Sequence, residues 1–216
     1  MAPRLPLVAS AIMVAVVSVA AQAPTLFTFD QVPAGTLPAG FTTAAFRQPA
    51  SGQWAVNRVG SGAALHHAAV PDGTGWSLAL APDPAPAAFR VTARMRLSGG
   101  SRAGGLVWHY QDARNFMAAL LDLEDGDLEL FRVSDGNRIR LEDRDGLELD
   151  PLAWHTLRVI VGEGRTTVSI GGIRVLDWDE RRSGGRMGRV GLLAHGRAET
   201  AFDDLRVEPP SGRQSR

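Results

Sequence analysis

The chain has 216 residues, with 23 basic and 23 acidic side chains, and is formally neutral when His is neutral. It contains no cysteine, which excludes disulfides, a thiolate nucleophile, thiolate metal ligands and a lipid-modified Cys at a cleavage site. Every basic residue is Arg, so Lys-dependent Schiff-base chemistry is excluded, and the even charge balance leaves no electrostatic footprint for nucleic acid.

Residues 1–21 read as a signal peptide. Arg4 supplies the positive start, Leu5 to Ala21 is uncharged and mostly apolar, and small residues at Ser18, Ala20, Ala21 and Ala23 place cleavage near residues 20–23. The rival reading is an uncleaved anchor, but the apolar run is at the short end of the ~17–25 residues that span a bilayer. Cleavage predicts a secreted or periplasmic protein with no stable membrane insertion.

Residues 24–208 read as one all-β domain of about a dozen short strands. Thr25 to Phe29 opens it, and Val32 to Gly40 is a Pro- and Gly-bearing loop. Gln53 to Val59 and Ala63 to Val70 pair around Gly60-Ser61-Gly62. Trp76 to Leu80 follows, and Ala81-Pro82-Asp83-Pro84-Ala85-Pro86 is predicted to be a connector, since proline is poorly placed in a central strand. From Ala88 to Leu97, Phe89, Val91, Ala93, Met95 and Leu97 alternate with Arg90, Thr92, Arg94, Arg96 and Ser98, one set for the core and one for water.

Between Gly104 and Leu141 the turns Asp112-Ala113-Arg114, Glu124-Asp125-Gly126-Asp127 and Asp135-Gly136-Asn137 separate short strands. Phe116 to Leu121 is apolar throughout and suits a strand buried on both faces. Trp154 to Val161 is a strand with Leu157, Val159 and Val161 on one face. Arg165 to Ile170 and Ile173 to Trp178 form a hairpin across Gly171-Gly172, and Val190 to Ala194 and Ala201 to Val207 close the domain. Arg181-Arg182 with Arg186 and Arg189 reads as a solvated loop, and residues 209–216 as a disordered tail.

Four segments carry a resemblance: Phe27-Thr-Phe-Asp30 with Gly35-Thr-Leu-Pro-Ala-Gly-Phe41; Gly105-Leu-Val-Trp-His-Tyr-Gln-Asp112 running into Asn115-Phe116; Trp154-His-Thr-Leu-Arg-Val159; and Gly188-Arg-Val-Gly-Leu192 leading to Phe202-Asp-Asp-Leu-Arg-Val207. Together they resemble the concanavalin A-like lectin/glucanase superfamily. Within it they resemble the secreted bacterial domains labelled 3-keto-disaccharide hydrolase, which are laminin G-like. The resemblance implies a jelly-roll β-sandwich of two antiparallel sheets that meets carbohydrate. Similar domains commonly read Asn-Tyr-Tyr after the second segment, with an Arg and an Asn following. Here Asn115, Phe116, Met117, Leu120 and Asp122 stand in their place, so much of that strand's polar equipment is missing.

Candidate site residues follow. Trp108 and Tyr110 are spaced to share a strand face, where they either stack on a pyranose or fill the core. His109 is then expected on the concave surface beside Arg94 or Arg96, with Asn115 completing a glycan-binding set. The other tryptophans, Trp54, Trp76, Trp154 and Trp178, are expected in the core. Asp125-Gly126-Asp127-Leu128-Glu129 has the spacing of a same-face acid triad, but Asp-Gly is a hairpin signal and the acids read as solvated.

The labelled activity implies cleavage of a 3-keto-glycoside. Its acidified C2 proton needs only one base, with His109, Asp122 and Glu124 as candidates. No cofactor is required, although Asp30, Asp203 and Asp204 are candidate ligands for a structural calcium. His66 and His67 are adjacent on a strand and point to opposite faces, so zinc is not expected. Three readings stand: glycan binding on the concave sheet, 3-keto-glycoside cleavage, and a laminin G-like protein-interaction domain.

Overall fold

The computed structural model describes residues 23–48, 52–70, 72–179 and 187–210. The signal segment, Arg181, Arg182 and Arg186 of the basic loop, and residues 211–216 of the tail lie outside these. The described residues form strands and connecting turns, with no helix. The first eight strands are β1 (Thr25–Phe27), β2 (Thr42–Phe46), β3 (Gln53–Val59), β4 (Gly62–Ala68), β5 (Trp76–Ala85), β6 (Phe89–Gly99), β7 (Ala103–Asp112) and β8 (Asn115–Asp122). The rest are β9 (Asp127–Ser134), β10 (Asn137–Arg144), β11 (His155–Gly162), β12 (Arg165–Ile170), β13 (Ile173–Asp179), β14 (Gly188–His195) and β15 (Glu199–Glu208).

They build two antiparallel sheets. The eight-stranded sheet runs β13-β12-β11-β6-β15-β4-β3, with β1 added on β15, and the seven-stranded sheet runs β10-β9-β8-β7-β14-β5-β2. The result is an all-β jelly-roll sandwich, as the resemblance implies; the turn spacing alone admits a sandwich or a barrel.

The alternation in β6 is borne out: Phe89, Val91, Ala93, Met95 and Leu97 are all within 1% of full burial, while the arginines between them face outward. They meet Leu106, Trp108, Met117, Leu121 and Leu192 of the facing sheet in one core. The twofold burial of Phe116 to Leu121 is also borne out: Met117, Ala119 and Leu121 enter that core, and Phe116, Ala118 and Leu120 enter a second cluster on the outer side of their sheet.

That second cluster exists because the seven-stranded sheet curls. Phe46 of the edge strand β2 meets Phe116 of β8 edge-on, ring centroids 5.4 Å apart, and Trp76 of β5 meets Phe131 of β9 at 6.1 Å. Three strands separate each pair, which in a flat sheet is about 19 Å. Curling turns the outer face into a concave trough and fills its centre with aromatic rings.

Two expectations are corrected. The connector 81–86 is strand as far as Ala85: Pro84 pairs with Arg189 of β14. Strand β2 pairs with β5 only from Trp76 to Leu80, so Pro82 and Pro84 lie on a free edge, where a missing N–H breaks no ladder bond. Strand β2 itself, Thr-Thr-Ala-Ala-Phe, was not expected: the segment is too short to show a period, and pairing with β5 makes it a strand.

Candidate functional site

The residues expected to form one glycan site are divided between opposite sides of the sandwich. Trp108 is fully buried in the main core, because β7 changes register between Trp108 and Asp112 and His109 has φ +49°. This bulge breaks the alternation, so Trp108 points inward and Tyr110 outward. The correction extends to His109, which is 7% exposed, sets its ring edge-on to Phe89 at 5.6 Å and does not approach Arg94 or Arg96. Tyr110 lies at the trough rim against Phe116.

Asn115 ties two turns together: its Nδ2 donates to Asp112 Oδ1 at 3.1 Å, and its Oδ1 accepts the Asp135 N–H at 3.1 Å. Asp122 Oδ1 accepts the N–H groups of Glu124 and Asp125 in a local turn, and burial raises its pKa. Glu124 is an exposed turn residue. The three candidate bases therefore sit apart, one inside the sandwich and two in a hairpin loop. The hairpin reading of the acid triad holds: Asp122 pairs with Asp127 and Gly126 turns at φ +69°. The side chain of Glu129 is 6% exposed and carries Arg138 and Arg140.

Arg94 belongs to a different place, a hollow of about 200 Å³ on the outer face of the eight-stranded sheet, and Arg96 stands beside it on the far side of the Trp154 contact. Its floor is made of small outward residues, Gly62 and Ala64 on β4, and its walls are Val59, Arg94, Trp154 and Asp203. The guanidinium carbons of Arg94 and Arg96 lie 5.0 and 5.4 Å from the Trp154 ring centre. Trp154 is thus not a core residue. The signal for this was present in the strand that follows it: inward Leu157, Val159 and Val161 put Thr156 and, by extension, Trp154 on the outer face. Trp54 is in the core, Trp178 packs against it, and Trp76 lines the trough.

Asp203 and Asp204 reach the same face through a second bulge. Register shifts between Asp203 and Arg206, and Asp204 takes φ +51°, so Phe202 and Leu205 both point into the core while two successive carboxylates face out. Arg94 Nη1 is 3.1 Å from Asp204 Oδ2 and 3.9 Å from Asp203 Oδ2. Burial, then the neighbouring Asp204, raises the Asp203 pKa, against the pull of the Asp204 N–H and Arg94. Asp30 follows Phe29, a buried residue at φ +62°, and accepts the Ala63 N–H at 2.9 Å. Left-handed Phe is a genuine outlier, strained by about 1–3 kcal/mol, and the strain falls beside this hollow. The aspartates expected to bind calcium do gather here, but among the described residues no three His, Asp or Glu side chains are grouped to hold a metal ion.

On the same face His66 of β4 and Arg96 of β6 flank Ala201 of β15. Burial, then Arg96, lowers the His66 pKa, so its ring is neutral at pH 7. His67 points inward, its Nδ1 2.8 Å from the Ala198 carbonyl, so the two rings face opposite sides as expected.

No protein-family model and no curated protein matches the chain. Solved structures do. A carbohydrate binding module, CBM66 from Bacillus subtilis, superposes with TM-score 0.61 at 20% identity, covering 78% of this chain and 95% of that one. Domain 4 of AbnA, a GH43 extracellular arabinanase from Geobacillus stearothermophilus solved with arabinotriose, gives 0.60 at 15% identity, covering 88% and 94%. A Bacillus subtilis protein of unknown function with a galectin-like fold gives 0.55 at 14% identity, covering 78% and 89%. At these identities the likeness establishes architecture: the chain has the jelly-roll β-sandwich fold that these solved domains share, consistent with the concanavalin A-like resemblance.

Proposed function

We propose that this chain is a secreted or periplasmic carbohydrate-binding domain whose site is the hollow at Trp154. The observation that carries the reading is the set of side chains around one ring-sized space. A half-buried indole, the Arg94 guanidinium and the Asp203 carboxylate surround a floor of Gly and Ala, with Arg96 and Asp204 beside them. An apolar sugar face suits the indole, and vicinal hydroxyls suit a carboxylate–guanidinium pair that both accepts and donates. The volume is below the ~300 Å³ at which drug-sized pockets begin, which suits a single sugar ring. The carbohydrate binding module among the structural neighbours lends support. The concave trough is the poorer candidate, because Phe46, Phe116 and Phe131 occupy its centre at 5% exposure or less.

The test is a glycan array followed by calorimetry on the best hit. Trp154→Ala is expected to weaken binding roughly tenfold or more. Ala64→Trp, which fills the hollow from its floor, is expected to abolish it. Full affinity in both variants would place the site elsewhere, and no hit on the array would remove the reading.

A further inference from the structure

The carboxylates around the hollow already hold donors, while one arginine beside it holds no acceptor. Asp204 takes Arg94, and Asp30 takes the Ala63 N–H. Arg96 has no carboxylate within ion-pair distance among the described residues, and its Nε is buried without a hydrogen-bond partner. The His66 Nε2, across Ala201 from it, is likewise buried and unpartnered. A buried donor with no acceptor is destabilising, more so on a charged group. Arg96 and His66, on the two strands that flank β15 and beside the hollow, leave a place for an acceptor that arrives with the ligand, with the His66 ring donating in its Nε2–H tautomer.

We infer that the sugar bound in this hollow is a hexuronate, its carboxylate received by Arg96 with His66 beside it and its ring hydroxyls by Asp203 and Arg94. The inference rests on the glycan-binding reading above and names the class of sugar. Arg94 and Arg96 are two residues apart on one strand, about 6.6 Å, roughly the width of one pyranose ring. The indole of Trp154 spans the interval, within reach of both guanidiniums. A planar carboxylate matches the guanidinium fork, so a charge-assisted bidentate contact is available to a uronate and not to its neutral parent.

The experiment compares oligomers of galacturonate, glucuronate and mannuronate with their carboxyl-reduced counterparts, by calorimetry on the purified protein. At least one uronate is expected to bind about tenfold or more tightly than its reduced form. Arg96→Gln is expected to erase that ratio, and Arg96→Lys to restore part of it, while Trp154→Ala weakens both members of the pair. Equal binding of a pair, lost in Trp154→Ala, overturns the uronate inference and leaves glycan binding standing. A preference that persists in Arg96→Gln overturns the placement of the carboxylate. If neutral sugars fail on the array as well, both readings fall.

Discussion

Asp203 shows how one side chain links burial to behaviour. Its pKa is raised because the carboxylate is partly withdrawn from water and faces Asp204, with Asp30 adding to the effect. A raised folded-state pKa means that the native state binds the proton more readily than the unfolded chain. The stability this group contributes is therefore present below the ordinary carboxylate value and is lost as pH rises through the raised one. Denaturant unfolding in the acid range is expected to show this falling contribution in the wild type and not in Asp203→Asn. Sugar binding runs the other way: hydroxyls donate to the ionised carboxylate, so affinity should drop on acidification. Its midpoint is expected above ~3.9, the ordinary Asp value. A pH-flat binding constant down to that value would remove Asp203 from the site.

Elements here are placed by close backbone approach as much as by propensity. Strand β7 lies between β14 and β8, and a Cβ on Gly105 would come within 1.8 Å of the Ala119 carbonyl oxygen. No side chain can yield to relieve that contact. Gly105→Ala is expected to destabilise by more than about 3 kcal/mol, or roughly 6–12 °C in Tm for a chain of this size, measured by thermal melting. The bulges matter in the same way. One in β7 sends Trp108 and Tyr110 to opposite sides, and one in β15 sends two aspartates to the same side. Neither is visible as a break in the sequence pattern. His109 and Asp204, both at positive φ, are residue types that occur there more often than most, but composition does not say which His or Asp will do so.

At the scale of the molecule the sandwich has two apolar layers rather than one. The main core lies between the sheets, and the second fills the trough of the curled sheet, with Arg138 set 4.4 Å over Phe131 and held by Glu129. Phe131 is fully buried there, so Phe131→Ala is expected to cost about 3–5 kcal/mol, as much as Phe89→Ala in the main core. Chemical denaturation of the two variants tests this. A much smaller loss for Phe131→Ala would mean that the trough is open and available to a ligand.

The sequence by itself determined the all-β class, the β6 alternation, the doubly buried β8 and the Asp125-Gly126 hairpin. Each of these depends on neighbours a few residues apart, where the period of two and the φ preference of Gly act directly. It also marked Arg94, Arg96, Asp30, Asp203 and Asp204 as chemistry-bearing, although it assigned them to two different sites. Only the tertiary structure decided that Arg94 and Asp203 line one hollow with Trp154, with Arg96, Asp30 and Asp204 close beside it, and that Trp108 and His109 do not. Strands β4, β6 and β15 become neighbours only through long-range pairing, and the bulge that aims the β15 carboxylates arises when such pairs are fitted together. The small residues that leave the hollow open, Gly62 and Ala64, are unremarkable along the chain and acquire meaning only from what stands across from them.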